Sequence, residues 1–323
     1  MKSFKHFNAT SVDEALSLLR EYQGRTKLIA GGTDLLGCLK DRILLHYPEA
    51  LINIKTIPGL DNIEENGEGL RIGPSAKLSE IARSSVIRNK YPVLSEAAES
   101  VATPEIRNMA TLGGNLCQDT RCWYYRYPHE MGGRILCYRK GSGPCHAVKG
   151  DNRYHAIMGG KACFAVCPSD MAIALTALDA SLKIAGPEGE RLVPIKDCYD
   201  VLGSVLQPDE FVTEVHVPHL PKRTKQTFIK FTLRKPVDFA IASVASVILE
   251  QDGVCQDASL ALGAVAPTPV RATDAEELIK GKGIDTKTAE RAAVAAVAGA
   301  KPMSMNAYKI EITKALVKRA LLS

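Results

Sequence analysis

The chain has 323 residues, of which 46% are apolar and 24% charged, and this composition excludes a disordered protein and leaves room for two or three domains. Its net charge of +5 is small and its basic residues are interspersed with acidic ones, so nucleic-acid binding is not expected. No signal sequence and no apolar run of the roughly 18 residues needed to cross a bilayer is found, which predicts a cytoplasmic protein without a membrane span. In that reducing compartment, the nine cysteines indicate metal binding or burial rather than disulfides.

Residues 1–55 predict a small α/β unit. Ser11 as N-cap and Glu14 as its capping-box partner begin a helix over residues 11–22. The stretch "KLIAG" then predicts a buried strand that leads into a Gly-rich turn and a helix in "GTDLLGCLKDRIL". The stretch "ALINIKTI" predicts the next strand.

Residues 56–220 predict a second, α+β part. Helices are expected near 78–83, 91–101 and 169–179, and short strands are expected in "LRIGPSA", "ACFAVC", "SLKIAG", "RLVPI" and "FVTEVHVP".

Residues 221–323 predict a separate C-terminal domain, because the prolines and polar residues of "PHLPKRTKQ" are typical of a boundary. Antiparallel strands are expected in "TFIKFTLR", "AIASVASVILE" and "ASLALGAVAP". Three helical stretches follow, the last two in "KTAERAAVAAVAGA" and "YKIEITKALVKRALL".

Two turns with paired glycines, "AGGTDLL" and "TLGGNL", share one pattern. Glycine lets backbone amides approach a phosphate closely, and free amides at the start of a helix attract an anion. A tight turn packed against a sheet explains either turn alone, whereas two such turns in one domain favour a dinucleotide diphosphate held between them. Neither turn matches G-x-G-x-x-G, so a Rossmann site is disfavoured.

Four motifs in order, "IAGGTDLL", "ATLGGNLCQD", "CPSDMAIALTALDA" and "KFTLRKPVDFAIASVA", resemble the FAD-binding medium subunit of the molybdenum hydroxylase family, which includes xanthine dehydrogenase. The resemblance covers essentially the whole chain. It implies an α+β fold with a two-part FAD-binding domain of the vanillyl-alcohol-oxidase/PCMH type and a C-terminal domain of antiparallel sheet and helices. It also implies a noncovalent FAD in the cleft between these two domains.

The same resemblance assigns FAD contacts to two glycine loops and to four further positions. Asp170 would contact the adenosine ribose end and Lys230 would lie near the flavin, although a helix N-terminal residue and a solvated strand lysine also explain these two. The assigned residues are Leu28, Ile29, Ala30, Gly31, Gly32, Thr33, Asp34 and Leu35 in the first loop, Thr111, Gly113, Gly114 and Asn115 in the second, and Val101, Val212, Asp170 and Lys230 elsewhere.

The stretch from about residue 118 to 168, called the cysteine segment below, contains five of the nine cysteines. So long a segment with little regular pattern is uncommon in a compact domain unless it is functional or disordered, yet "CWYYRY" and "CFAVC" are too aromatic and apolar for a linker. A metal centre that orders the segment explains both observations. Four thiolates can hold a 4Fe-4S cluster or a zinc ion, and the wide spacing of these cysteines does not distinguish the two.

The beginning of this segment, "NLCQDTRCWYY", and its later "CH" are similar to the loop of the medium subunit of 4-hydroxybenzoyl-CoA reductase that carries an additional 4Fe-4S cluster. This similarity assigns the cluster to Cys122, Cys137, Cys145 and Cys163, with Cys167 as a competitor for the last position. The remaining thiols, those of Cys38, Cys117, Cys198 and Cys255, are interpreted as packed in the protein interior. Three histidines are minor candidate ligands: His129, His146 and His155.

The resemblance therefore implies an electron-transfer subunit with FAD and a 4Fe-4S cluster. Its partners would be a small subunit with two 2Fe-2S clusters, a large subunit with the molybdenum cofactor that carries out the substrate chemistry, and an external carrier, ferredoxin or NAD. Because a cluster beside a flavin opens a path to a one-electron donor, reductive removal of an aromatic hydroxyl group is expected. The alternatives are the FAD subunit of an oxidative xanthine or N-heterocycle dehydrogenase and a zinc-stabilised scaffold subunit.

Overall fold

A three-stranded parallel sheet opens the chain in the computed structural model, which describes residues 1–235 and 237–323. Its strands are ordered β1-β3-β2. The first helix begins where predicted, because Ser11 Oγ accepts a hydrogen bond from the N–H of Glu14 at 3.1 Å, but the Glu14 carboxylate accepts from the N–H of Thr10 rather than completing a capping box. The elements of this part are β1 (Lys5–Asn8), α1 (Val12–Glu21), β2 (Thr26–Ile29), α2 (Leu35–Lys40) and β3 (Ala50–Asn53).

The second part combines a five-stranded antiparallel sheet, ordered β4-β5-β10-β6-β7, with six helices and a two-stranded β8-β9 ribbon. Helix α8 is buried on all sides and forms the centre of the largest apolar core. The elements are β4 (Ile63–Asn66), β5 (Gly69–Ile72), α3 (Leu78–Arg83), α4 (Ser85–Lys90), α5 (Pro92–Glu99), α6 (Pro104–Arg107), α7 (Leu112–Leu116), α8 (Asp170–Ala177), β6 (Ser181–Gly186), β7 (Gly189–Pro194), β8 (Tyr199–Asp200), β9 (Gly203–Ser204) and β10 (Phe211–Pro218).

The C-terminal part is a four-stranded antiparallel sheet, ordered β11-β12-β13-β14, with three further helices. Alternate residues of β12 enter different cores, since Ala245 and Val247 pack with α5 and α8 while Val244 and Ile248 pack with α9, α10 and α11. Burial on both faces explains the continuous apolar run of this strand. The elements are β11 (Thr224–Phe231), β12 (Ala242–Gln251), β13 (Val254–Gly263), β14 (Val270–Arg271), α9 (Thr273–Ile279), α10 (Thr286–Ala295) and α11 (Tyr308–Leu321). Pro236, within the fourth motif, lies outside the described residues.

The cysteine segment, all of which the structure describes, connects α7 to α8 with only three single 3-10 turns, at His129–Met131, Tyr138–Lys140 and His146–Val148. The predicted strand in "ACFAVC" is wrong. The backbone hydrogen bonds of this stretch go to unrelated partners, one of them from Cys167 N–H to Ala266 O at 2.9 Å, and therefore build no strand ladder.

Side chains of the C-terminal domain hold the cysteine segment in place. Asn306 donates to the carbonyls of His155 and Ala156 at 3.2 Å, and the fully buried Lys309 donates to His155 O at 3.0 Å. In the opposite direction, Asn152 of the segment accepts a hydrogen bond from a backbone N–H of the C-terminal domain at 2.9 Å. The segment is thus ordered by distant partners rather than by its own secondary structure.

Among the described residues, every helix is too short or too polar to cross a bilayer.

Candidate functional site

The first glycine turn follows β2 and packs against the backbone just before the second turn, which begins α7. A Cβ atom added at Gly31 would lie 2.0 Å from the carbonyl oxygen of Met109, and one added at Gly113 would lie 2.7 Å from Cβ of Pro74. Gly32 adopts a positive φ of 70°, which favours glycine. Close backbone packing therefore requires glycine at these positions.

A cavity of about 540 Å³ lies beside these turns, within the usual size range of a ligand pocket. Both glycine turns line it, together with Val212 of β10, the β8-β9 ribbon and the two ends of the cysteine segment, near Gln118 and near Cys167. The predicted contacts that line this cavity are Leu28, Ile29, Ala30, Gly31, Gly32, Thr33, Asp34, Leu35, Thr111, Gly113, Gly114 and Val212.

Four predicted contacts do not line this cavity: Val101, Asn115, Asp170 and Lys230. Lys230 and Asp170 form an ion pair of 2.7 Å whose side chains are only 7% and 6% exposed, so the interpretation of Lys230 as a solvated lysine is wrong. Lys230 also donates to Ser100 O at 2.9 Å, beside the buried Val101, and Asn115 accepts from the hydroxyl of Ser169 at 2.7 Å. Burial raises the pKa of Asp170, and the Lys230 ammonium opposes that shift. These contacts link α7, α8 and β11.

Asp34, predicted only as part of the first glycine loop, has a second set of contacts. Its carboxylate lies 2.7 Å from the guanidinium of Arg121 and 2.6 Å from that of Arg126, and it accepts the backbone N–H of Asp119 at 2.8 Å. All three partners belong to the cysteine segment. The network extends to Tyr125, whose hydroxyl donates to Asp119 at 2.5 Å. A partly buried ionic network thus joins the glycine loop to the cysteine segment, and no local sequence pattern indicates it.

The four cysteines assigned to a cluster, Cys122, Cys137, Cys145 and Cys163, line one small cavity, called the cysteine cage below. Cys167 does not line it and instead lines the larger cavity. The space inside the cage is about 20 Å³. Within residues 1–235 and 237–323, no group of three or more His, Cys, Asp or Glu side chains is placed to hold a metal ion, so the predicted 4Fe-4S cluster has no support from the structure.

One cage thiol has a protonation state that follows from its burial. Burial raises the pKa of Cys122 to about 11, so this group is a neutral thiol until a cation displaces its proton.

The remaining cysteines and histidines differ in burial and in their distance from the cage. Cys38, Cys198 and Cys255 are buried as predicted, whereas Cys117, also predicted as packed, is exposed. Three histidines occupy different environments: His155 is buried beside Cys122, His146 is an exposed residue at the cage and His129 is exposed and away from it.

Comparison with known proteins identifies the class. Residues 2–220 match the FAD binding domain in molybdopterin dehydrogenase, and residues 227–323 match the CO dehydrogenase flavoprotein C-terminal domain. The fold and the cavity thus define an FAD-binding subunit of an oxidoreductase.

Individual relatives agree along the whole chain. The aldehyde oxidoreductase FAD-binding subunit PaoB of Escherichia coli (strain K12) is 34% identical over 97% of this chain and 96% of its own length. The carbon monoxide dehydrogenase medium chain of Hydrogenophaga pseudoflava is 28% identical over 98% and 96%. Among solved structures, quinoline 2-oxidoreductase from Pseudomonas putida 86 superposes with a TM-score of 0.78 at 25% identity, covering 100% of this chain and 97% of that one.

The chain belongs to the molybdenum hydroxylase family, as one of its FAD-binding medium subunits. The family, the α+β fold with a C-terminal sheet domain and the FAD-binding function predicted from the four motifs are confirmed. The narrower resemblance to 4-hydroxybenzoyl-CoA reductase is not confirmed by these comparisons.

Proposed function

We propose that the chain is the electron-transfer subunit of a molybdenum-dependent dehydrogenase complex, with FAD in the glycine-lined cavity and a 4Fe-4S cluster in the cysteine cage. The observation that carries the proposal is the arrangement of the thiols. Cys122, Cys137, Cys145 and Cys163 are separated by up to 41 residues of sequence yet line a single cavity, whereas the neighbouring Cys167 lines another.

The FAD site is supported by the way the chain builds the larger cavity. Gly31 and Gly32 on one side and Gly113 and Gly114 on the other line the cavity without a side chain, which leaves their backbone open to a bound diphosphate. When bound, FAD supplies the exchange between two-electron and one-electron steps.

The four predicted contacts that do not line the cavity would support the FAD site through packing. The Lys230–Asp170 ion pair fixes α8 and β11 behind the site, and Asn115 fixes the second glycine turn through its hydrogen bond from Ser169, rather than through contact with the flavin.

The chemistry of the cage suits a 4Fe-4S cluster or a zinc ion, because soft sulfur ligands bind both. The described residues contain no group of side chains already placed to hold a metal ion, and the space inside the cage is about 20 Å³, so either centre requires the thiols to move as it enters. Because the relatives named above are subunits of oxidoreductases, a zinc-stabilised scaffold is the weaker alternative.

The partners and direction follow from the names of the relatives. The words "medium chain" and "FAD-binding subunit" describe parts of larger assemblies. We accordingly propose a small subunit with two 2Fe-2S clusters and a large subunit with the molybdenum cofactor. Since the relatives named here are an aldehyde oxidoreductase, a carbon monoxide dehydrogenase and a quinoline oxidoreductase, an oxidation is favoured over the reductive dehydroxylation expected from the sequence. Electrons then leave through this subunit to ferredoxin or NAD.

Iron analysis and electron paramagnetic resonance of the anaerobically purified complex test the cluster. Cys163→Ala should lose the iron of one 4Fe-4S cluster and its resonance while FAD remains bound, and the matched variant Cys167→Ala should keep both. Zinc in place of that iron, or loss of iron in Cys167→Ala alone, contradicts the assignment.

Substrate oxidation with each carrier tests the direction. Reduction of oxidised ferredoxin or NAD by the complex supports the proposal, whereas turnover that needs reduced ferredoxin supports the reductive alternative.

A further inference from the structure

One ammonium group is buried beside the cysteine cage without a partner. Lys140 is only 3% exposed, and its Nζ has no hydrogen-bond partner among the described residues. The ammonium lies 5.2 Å from the centre of the Tyr125 ring, which packs with Cys122 and Cys137 and lines the cage. Native proteins seldom bury an unpaired charge, because its desolvation is costly. An anionic group in the cage would offset that cost.

A second buried group contacts one of the cage sulfurs directly. His155 is 3% exposed and its Nε2 lies 3.3 Å from Sγ of Cys122. Its Nδ1 is also buried and has no hydrogen-bond partner among the described residues, so the sulfur is the one hydrogen-bonding partner of this ring there. An Nε2–H that donates to sulfur therefore satisfies the geometry.

The position of this imidazole is fixed from several sides. Trp123 and Tyr124 pack against the ring at centroid distances of 5.8 and 6.0 Å. Hydrogen bonds from Asn306 and Lys309 hold its carbonyl oxygen. The contact between ring and sulfur is thus built into the packing.

We propose that Lys140 and His155 raise the reduction potential of the cage cluster by stabilising the negative charge that it gains on reduction. The inference rests on the proposed 4Fe-4S site. On reduction the cluster takes up one electron from the flavin, and no covalent bond forms or breaks. A nearby cation and an N–H donor to a ligand sulfur both stabilise the reduced form more than the oxidised form. The two residues are positioning groups that act through charge and hydrogen bonding.

The test is a redox titration of the complete complex, monitored by electron paramagnetic resonance. Lys140→Met and His155→Phe remove the charge and the donor, whereas Lys140→Arg keeps the charge. We expect Lys140→Met and His155→Phe each to lower the equilibrium constant for cluster reduction about tenfold, which is a fall of 59 mV in a one-electron potential. Lys140→Arg should keep the potential of the unmodified complex. Lys149→Met removes an exposed charge of the same segment and should leave the potential unchanged.

The outcomes separate the inference from the function on which it rests. If the unmodified complex lacks the cluster signal and its iron, the proposed function fails. If the signal is present and neither Lys140→Met nor His155→Phe lowers the potential, the inference fails while the function stands. Should Lys140→Met lose its cluster, His155→Phe decides the question alone. The potential of the flavin serves as an internal reference, because a general disturbance of the complex would shift it too.

Discussion

Replacing Gly31 with alanine places a methyl group against the backbone just before the second glycine turn. The new Cβ would lie 2.0 Å from Met109 O and 2.8 Å from the carbonyl carbon of Met109. Because Cβ atoms do not approach other heavy atoms within 3.0 Å, the first turn must move about 1 Å away from Met109. Both clashing atoms are backbone, so no side chain can rotate away. Overpacking of this kind costs about 1–3 kcal/mol, which corresponds to a loss of about 5- to 150-fold in FAD affinity if the cost falls on the flavin-bound state.

Titration of the flavin-free protein with FAD, followed by quenching of flavin fluorescence, measures that affinity. Gly37→Ala is the matched control, since an added Cβ there meets no atom within 4 Å and lies inside α2. It should bind FAD normally and unfold at a slightly higher urea concentration, because alanine favours a helix by about 1 kcal/mol over glycine. Normal FAD binding by Gly31→Ala would refute the argument that close packing of Gly31 against Met109 shapes the site. Unfolding of both flavin-free variants in urea shows whether any loss is confined to binding.

Three further outcomes follow from charged groups. Asp34→Ala leaves two partly buried arginines of the cysteine segment without their carboxylate and should lower the free energy of unfolding by about 1–3 kcal/mol, with proteolysis of the segment as a second measurement. Unchanged stability would show that the network is not needed to hold the segment. Burial lowers the pKa of Lys309 to about 7, below its value in the unfolded chain, so the unfolded state binds more protons above pH 7. Stability should then rise by up to about 1.4 kcal/mol per pH unit between about pH 7 and 8.5, and Lys309→Met should remove this slope in urea titrations. Glu96 and Glu99 are both exposed, but only Glu96 accepts the backbone N–H of the buried Phe228, at 2.7 Å and across the two domains. Glu96→Ala should cost about 1–3 kcal/mol in thermal unfolding because it leaves that N–H without its acceptor, whereas Glu99→Ala should cost less than about 1 kcal/mol; equal losses would contradict a link between domains.

Local patterns predicted much of the secondary structure because their causes are local. Ser11 begins α1 by capping its own first turn, and the strand in "FVTEVHVP" forms over the predicted residues, Phe211–Pro218. The stretch "ACFAVC" failed as a strand because its apolar residues line two cavities instead of one face of a sheet. The period of a strand and the lining of a cavity look alike in a short sequence.

The contacts around the site could not be predicted from spacing in the same way. Asp34 meets its arginine partners across more than 80 residues, and Lys230 meets Asp170 across 60. Such pairs depend on how α8, β11 and the cysteine segment pack in three dimensions. The order of the four motifs nevertheless predicted that both glycine loops line one cavity, because the two loops belong to one family pattern that extends along the chain.

The anchoring of the cysteine segment by Asn306 and Lys309 also sets an order of events during synthesis. Chains leave the ribosome from the N-terminus, so all four cage cysteines emerge well before the residues that hold the segment in place. Until α11 is made, the thiols lack the contacts that fix them. For the proposed cluster, iron loading would therefore be expected only after the C-terminal residues are made, and truncation of the last helix should prevent it while every proposed ligand is still present.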